Sequence, residues 1–268
     1  MAQVTIGVFD SGVGGLTVAR ALREALPGAR LLYLADTAHV PYGGRPLAQI
    51  RDFALQIIDF LFTQGADAVV MGCNMSAASG ADEVAHARFP RPVFAVVDPG
   101  SRAAQAVTRG TVGVIATQGT VTSGIYGRTL RALGVAQVHE QACPAFVPLV
   151  ERGLDDGPEV EAAVAAYLAP LRDAGVDTLV FGCTHYPYLR APIARFLGPG
   201  VALVDPADLL AAEVAAAFPA AVVPAPTEHR FFCSGAPDSL LREGPRLLGL
   251  PIPRVERVDV PVEQVVTF

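Results

Sequence analysis

The sequence predicts an α/β protein of two pseudo-symmetric halves, each built on a parallel sheet, facing each other across a cleft. Three observations carry this expectation. Short β-branched runs alternate with longer stretches whose apolar residues recur at helical spacing, the pattern of strand–helix–strand crossovers. Glycines stand where those helical stretches run out. Three strand-like segments of the first half recur in the second, in the same order and at nearly one offset.

In chain order, residues 4–9 read as a buried strand, followed by Gly12-Val13-Gly14-Gly15 and a helix over 16–26. Further strands are expected at 31–35, 68–72 and 93–97, with a helix at 47–64 between the first two of these. The second half has strands at 112–116, 136–139, 178–182 and 201–204, and a helix at 159–174. Gly65, Gly110, Gly134 and Gly175 fall at expected helix C-termini, where a left-handed turn favours glycine. Beyond Phe231 the pattern weakens, and 237–248 reads as the last helix.

The repeats set the domain expectation. Ile6-Gly7-Val8-Phe9 resembles Val112-Gly113-Val114-Ile115, and Asp67-Ala68-Val69-Val70-Met71-Gly72-Cys73 resembles Asp177-Thr178-Leu179-Val180-Phe181-Gly182-Cys183. Residues 93–97 before Asp98-Pro99 resemble 201–204 before Asp205-Pro206. The halves are therefore expected to divide as 1–97 plus 207–268 and 98–206, with the active site between them.

Composition narrows the chemistry. An apolar fraction of 51% and a charged fraction of 17% describe a globular chain with a sizeable core, and no apolar run approaches a membrane span. A net charge of −6 argues against nucleic-acid or membrane-surface binding. All 20 basic residues are arginine. Without lysine the chain has no Schiff-base partner for pyridoxal phosphate and no Walker A loop, so no cofactor is expected. The N-terminus enters a strand pattern directly, with no secretory signal; a cytoplasmic location and four reduced cysteines are expected.

Ligands of open parallel sheets sit beyond the carboxyl ends of the strands. The residues placed there are Asp10 and Ser11, Cys73 and Asn74, Thr117, then Cys183, Thr184 and His185. Each half thus presents one cysteine at the equivalent strand end. Two thiols on opposite sides of one carbon could remove a proton from one face and return a proton to the other. Both cysteines precede expected helix starts, which suits a thiolate, and Asp10 and His185 are candidates to exchange protons with them. The other reading is that both are small buried hydrophobes; their symmetric placement, with Asn74 and Thr184 directly after, argues against it.

Ile6-Gly7-Val8-Phe9-Asp10-Ser11-Gly12-Val13-Gly14-Gly15-Leu16-Thr17 resembles the opening of bacterial glutamate racemases, and Asp36-Thr37 with Pro41-Tyr42-Gly43 resembles their second loop. Gly72-Cys73-Asn74 and Gly182-Cys183-Thr184-His185-Tyr186-Pro187 are similar to their two catalytic motifs. Ala142-Cys143-Pro144 with Pro148-Leu149-Val150-Glu151 is similar to the segment between. The resemblance covers about residues 4–210. It implies that Cys73 takes the α-proton of D-glutamate with Asp10 beside it, and that Cys183 takes that of L-glutamate with His185 and Glu151 beside it. It also implies substrate contacts from Asp10, Ser11, Pro41, Tyr42, Gly43, Asn74, Met75, Ser76, Thr117, Thr184 and His185, a role in peptidoglycan supply, and a homodimer. Where the family usually has threonine after Cys-Asn, this chain has Met75, followed by Ser76. Aspartate racemase, or another two-cysteine isomerase, is the alternative.

Other residues read plainly. Gly12-Val13-Gly14-Gly15 lacks dinucleotide spacing and is either an anion site at a helix N-terminus or a tight turn. Cys143 reads as structural and Cys233 as an edge-strand residue. His39, His86, His139 and His229 lack a surrounding motif and read as surface or loop residues. Cys73, Asp10, Cys183 and His185 carry zinc-binding atoms but without knuckle spacing, so no metal is expected.

Overall fold

The structure, a computed structural model, describes residues 3–225 and 227–260. The chain divides into two compact units, one running to Val96 and resuming at Leu210, the other spanning Val97–Leu209. In the first unit the order is β1 (Thr5–Asp10), α1 (Leu16–Ala25), β2 (Arg30–Ala35), α2 (Leu47–Thr63), β3 (Ala68–Met71), α3 (Asn74–Ala78), α4 (Ala81–Arg88) and β4 (Val93–Ala95). The second holds α5 (Val97–Val107), β5 (Thr111–Ala116), α6 (Gln118–Ser123), α7 (Ile125–Ala132), β6 (Gln137–Ala142), α8 (Phe146–Glu151), α9 (Pro158–Asp173), β7 (Thr178–Gly182), α10 (Arg190–Leu197) and β8 (Ala202–Val204). The chain continues through α11 (Pro206–Ala217) to β9 (Arg230–Cys233), α12 (Asp238–Leu248) and β10 (Glu256–Arg257) in the first unit.

Among the described residues the strands form two all-parallel sheets, β10-β9-β2-β1-β3-β4 and β6-β5-β7-β8. The order β2-β1-β3-β4 is that of β6-β5-β7-β8, and the first sheet adds β9 and β10 beyond β2. Inner strands of such sheets need cover on both faces, which is why β1, β2, β3, β5 and β7 are largely apolar and buried. Phe9, Leu32, Leu34, Val69 and Met71 join Ala54, Ile57, Ile58 and Leu61 of α2 in one core cluster. The alternate residues Ile6, Val8, Leu31, Tyr33 and Val70 are equally buried, as period-two alternation requires. In the second unit Ile115, Leu179 and Phe181 pack with Val160, Val164, Leu168 and Leu171 of α9.

The repeated residues repeat their contacts. A Cβ on Gly7 would lie 3.1 Å from Leu61 and 3.2 Å from Val69; one on Gly113 would lie 3.1 Å from Leu179 and 3.2 Å from Val176. Asp67 accepts from Thr5 N–H at 2.8 Å, and Asp177 accepts from Thr111 N–H at 3.2 Å, so each carboxylate ties one strand start to its neighbour.

Several expectations need correction. The strand expected at 93–97 stops at Ala95, and Val97 already opens α5: a proline in the first turn of a helix sacrifices no hydrogen bond, so both Asp-Pro pairs mark helix starts. The strand expected at 136–139 continues to Ala142, because β6 is an edge strand whose half-exposed Glu140 and Gln141 broke the apolar pattern. Gly110, with φ +134°, leads into β5 and caps no helix, whereas Gly65, Gly134 and Gly175 follow α2, α7 and α9 as expected. Cys233 is not on an edge: its strand lies between β2 and β10. His86 is a surface residue as expected, on α4, whereas His139 is half-buried in strand β6. Among the described residues no helix is long and apolar enough to cross a membrane.

Candidate active site

Strand register gathers the first set of groups. Asp10 pairs with Ala35 across β1–β2, and Phe9 with Met71 across β1–β3, so Asp10, Asp36 and Cys73 emerge side by side at carboxyl ends. Asp10 is 1% exposed, and its Oδ2 accepts from Gly15 N–H at 2.9 Å and Gly12 N–H at 3.3 Å. This decides the glycine loop. The anion held at the start of α1 is the chain's own Asp10 carboxylate, and the loop is the tight turn that delivers it.

Cys73 is the N-cap of α3 and is 5% exposed, in a small apolar cluster with Tyr42, Ile50, Phe53 and Met75. Burial, and then the Asp10 charge, push its thiol up to about 12, against the pull of Ser76 N–H and hydroxyl and of Ser11 N–H. Its place before a helix is expected to suit a thiolate; α3 does begin there, and burial acts in the opposite direction. Met75 spends its side chain on the cluster.

Sequence reasoning missed the structure around Asp36. This carboxylate is fully buried and accepts from Tyr42 Oη at 2.5 Å, Ser234 Oγ at 2.5 Å and His39 Nδ1 at 2.8 and 3.0 Å. The His39 ring stacks on Phe53 at 4.1 Å between centroids, so it is no stray loop histidine. Burial, and then the nearby Asp36 charge, hold the Tyr42 hydroxyl well above its ordinary range, as a neutral donor. Pro41 and Gly43 flank Tyr42 on the exposed side of this loop. The Asp36–His39 spacing was visible in the sequence; Ser234, near the far end of the chain, carried no signal.

In the second unit Ala116 pairs with Gly182, so Thr117 and Cys183 follow neighbouring strand ends. Cys183 is 7% exposed, with Sγ 3.9 Å from His185 Nδ1, and His185 Nε2 lies 3.3 Å from Glu151 Oε1 at the end of α8. Thiol, imidazole and carboxylate therefore stand in line, an order suited to moving a proton off or onto sulfur. No α-helix starts directly after Cys183; a 3-10 turn, Tyr186–Leu189, follows. Thr117 caps α6, its hydroxyl accepting from Thr120 N–H at 3.4 Å. Cys143 is fully buried, and burial pushes its thiol up, as its structural reading implies. Asn74 and Thr184 are buried next to their cysteines, and Ser11 is half-buried. Among the described residues no three His, Cys, Asp or Glu side chains gather closely enough to hold a metal.

Comparison with known proteins shows the family of the chain. The Asp/Glu/Hydantoin racemase family matches residues 15–214. The chain belongs to that family. Within it, the chain is 45% identical to a glutamate racemase of Desulforudis audaxviator over 263 residues, 93% of this chain and 95% of that one. The solved glutamate racemase of Thermus thermophilus, in complex with β-chloro-D-alanine, superposes with a TM-score of 0.85 at 44% identity, covering 96% of this chain and 97% of that one. That of Francisella tularensis, in complex with D-glutamate, gives 0.87 at 32% identity over 96% and 98%.

Proposed function

We propose that this chain is a cofactor-independent glutamate racemase in which Cys73 and Cys183 work from opposite faces of Cα. The observation that carries the proposal is one buried cysteine just past the third strand, in chain order, of each unit, where the orders β2-β1-β3-β4 and β6-β5-β7-β8 match. The D-glutamate bound to the Francisella tularensis relative supports the choice of substrate. In the L-to-D direction the Cys183 thiolate, its proton having passed to His185, removes the α-proton. The C–H electron pair spreads into the adjacent carboxylate, and the Cys73 S–H protonates the other face. The D-to-L direction runs in reverse, and each turnover exchanges the protonation of the two sulfurs. A Cys73 thiol pushed up to about 12 rests protonated, ready to act first as the acid. Asp10, Ser11, Pro41, Tyr42, Gly43, Asn74, Met75, Ser76, Thr117, Thr184 and His185 surround the substrate in this proposal. The reading requires residues 1–97 with 207–268, and 98–206, to bring the thiols to one cleft. It places the enzyme in the cytoplasm, as a homodimer supplying peptidoglycan.

Racemisation of each enantiomer in deuterated water tests it. Two bases should put deuterium on Cα of early product while remaining substrate stays protiated. Early product that keeps its protium would point to a single base. Faster racemisation of aspartate than of glutamate would move the substrate to the smaller acid.

A further inference from the structure

The Ser76 side-chain oxygen is buried and makes no hydrogen bond among the described residues. A buried hydroxyl without a partner weakens a fold, so its presence calls for a reason. Ser79, one turn on, shows the ordinary solution, donating to Ser76 C=O at 2.6 Å. Ser76 does not. It is the third residue of α3, and Cys73 is the N-cap, the spacing at which a side chain reaches back toward the capping group. The groups disposed to hydrogen-bond the Cys73 sulfur are Ser76 N–H, the Ser76 hydroxyl and Ser11 N–H.

We propose that Ser76 is a positioning residue for Cys73, its hydroxyl donating to the sulfur when the sulfur is a thiolate. A neutral thiol is a weak acceptor, so the hydroxyl stays unpaired while Cys73 is protonated. When Cys73 has given its proton away, the sulfur becomes a strong acceptor with three donors around it, and charge-assisted bonds form only in that state. Asp10 and Tyr42 also face this sulfur: Asp10 opposes the thiolate by its charge, and Tyr42 offers a hydroxyl already committed to Asp36. The stability lost at Ser76 in the resting enzyme lowers the barrier to the ionised one. The inference rests on Cys73 being one of the two bases.

The test uses S76A and S76T in the full chain, with three readouts. The Cys73 thiolate is titrated by ultraviolet absorbance, as the difference between each protein and its Cys73→Ser counterpart. S76A should raise the midpoint by about one unit, a tenfold loss of thiolate at a given pH. Its kcat should fall about tenfold with KM nearly unchanged, while its melting temperature holds or rises because an unpaired hydroxyl has gone. S76T should restore the midpoint; should it fold poorly, the smaller alanine still decides. An unmoved midpoint in S76A, a raised KM at constant kcat, or a fall in both melting temperature and activity would overturn the role. The titration needs no turnover, so a shifted midpoint in a protein that racemises nothing would sink the proposed function alone.

Discussion

Ser234 Oγ donates to the Asp36 carboxylate at 2.5 Å across 198 positions of sequence, and so fastens the segment after β9 to the loop that carries Tyr42. Asp36 is fully buried and takes three side-chain donors at once, from Tyr42, Ser234 and His39. Removing one donor, as in S234A, should lower unfolding free energy by ~1 kcal/mol, whereas D36A, which strands several buried donors, should lose ~3 kcal/mol. Urea denaturation measures both, and equal losses would mean that Asp36 is no hub. In the proposed function D36A also raises KM, since the loop that holds the substrate loses its anchor.

Stability should decline in alkali. Burial first of all raises the thiols of Cys73, Cys143 and Cys233 and the hydroxyls of Tyr42, Tyr126 and Tyr186. These groups stay neutral in the fold but ionise near ~8.5 for Cys and ~10 for Tyr once unfolded. Their contribution is therefore complete below those values and lost as pH rises toward the folded ones. The urea midpoint should hold to about pH 8 and fall steadily above ~9. C143A should show a shallower fall, having one such group fewer. A midpoint level to pH 11 would contradict the burial of these groups as ionisable sites.

The line Cys183–His185–Glu151 predicts a graded series. C183A removes the acid or base itself and should cost at least ~4 kcal/mol of transition-state stabilisation, about a thousandfold in rate. H185N leaves the thiol without its proton partner and should cost about ten- to a hundredfold. Glu151 is 52% exposed, so water screens its hold on His185, and E151Q should cost less than H185N. Steady-state kcat/KM measures each, and it should fall equally in both directions because the two enantiomers have equal free energy in water. An E151Q loss as deep as that of C183A would make the carboxylate an acid or base in its own right.

Gly15→Ala should damage both fold and site. An added Cβ would collide with Asp10 Cβ and come within 3.0 Å of the Tyr33 hydroxyl, which itself donates to Gly12 C=O at 2.6 Å. Overpacking of this kind typically costs ~1–3 kcal/mol. The melting temperature should drop, and the Cys73 alkylation rate should change as Asp10 moves. Gly43→Ala, where nothing lies within 4 Å of the new Cβ, is the control expected to leave stability unchanged.

Periodicity and repetition made most of the fold legible. Parallel strands buried on both faces leave apolar runs that announce themselves in any order, and Asp67 and Asp177 before their strands marked the repeat that the sheets share. Cys73 and Cys183 stood out because glycine before and a polar residue after them break such runs at the carboxyl end, where parallel sheets expose their functional groups.

The sequence by itself determined which groups arrive at those ends, because strand register follows from local pattern and pairing. Only tertiary structure decided their states. Whether Cys73 rests as thiol or thiolate depends on how much water its neighbours exclude and on the distance to the Asp10 charge, and neither is a property of local sequence. Whether Asp36 is a surface acid or the buried hub of a loop depends on Ser234 arriving from the other end of the chain. Burial and long-range contact set charge and hydrogen bonding, and both come from packing that no local window contains.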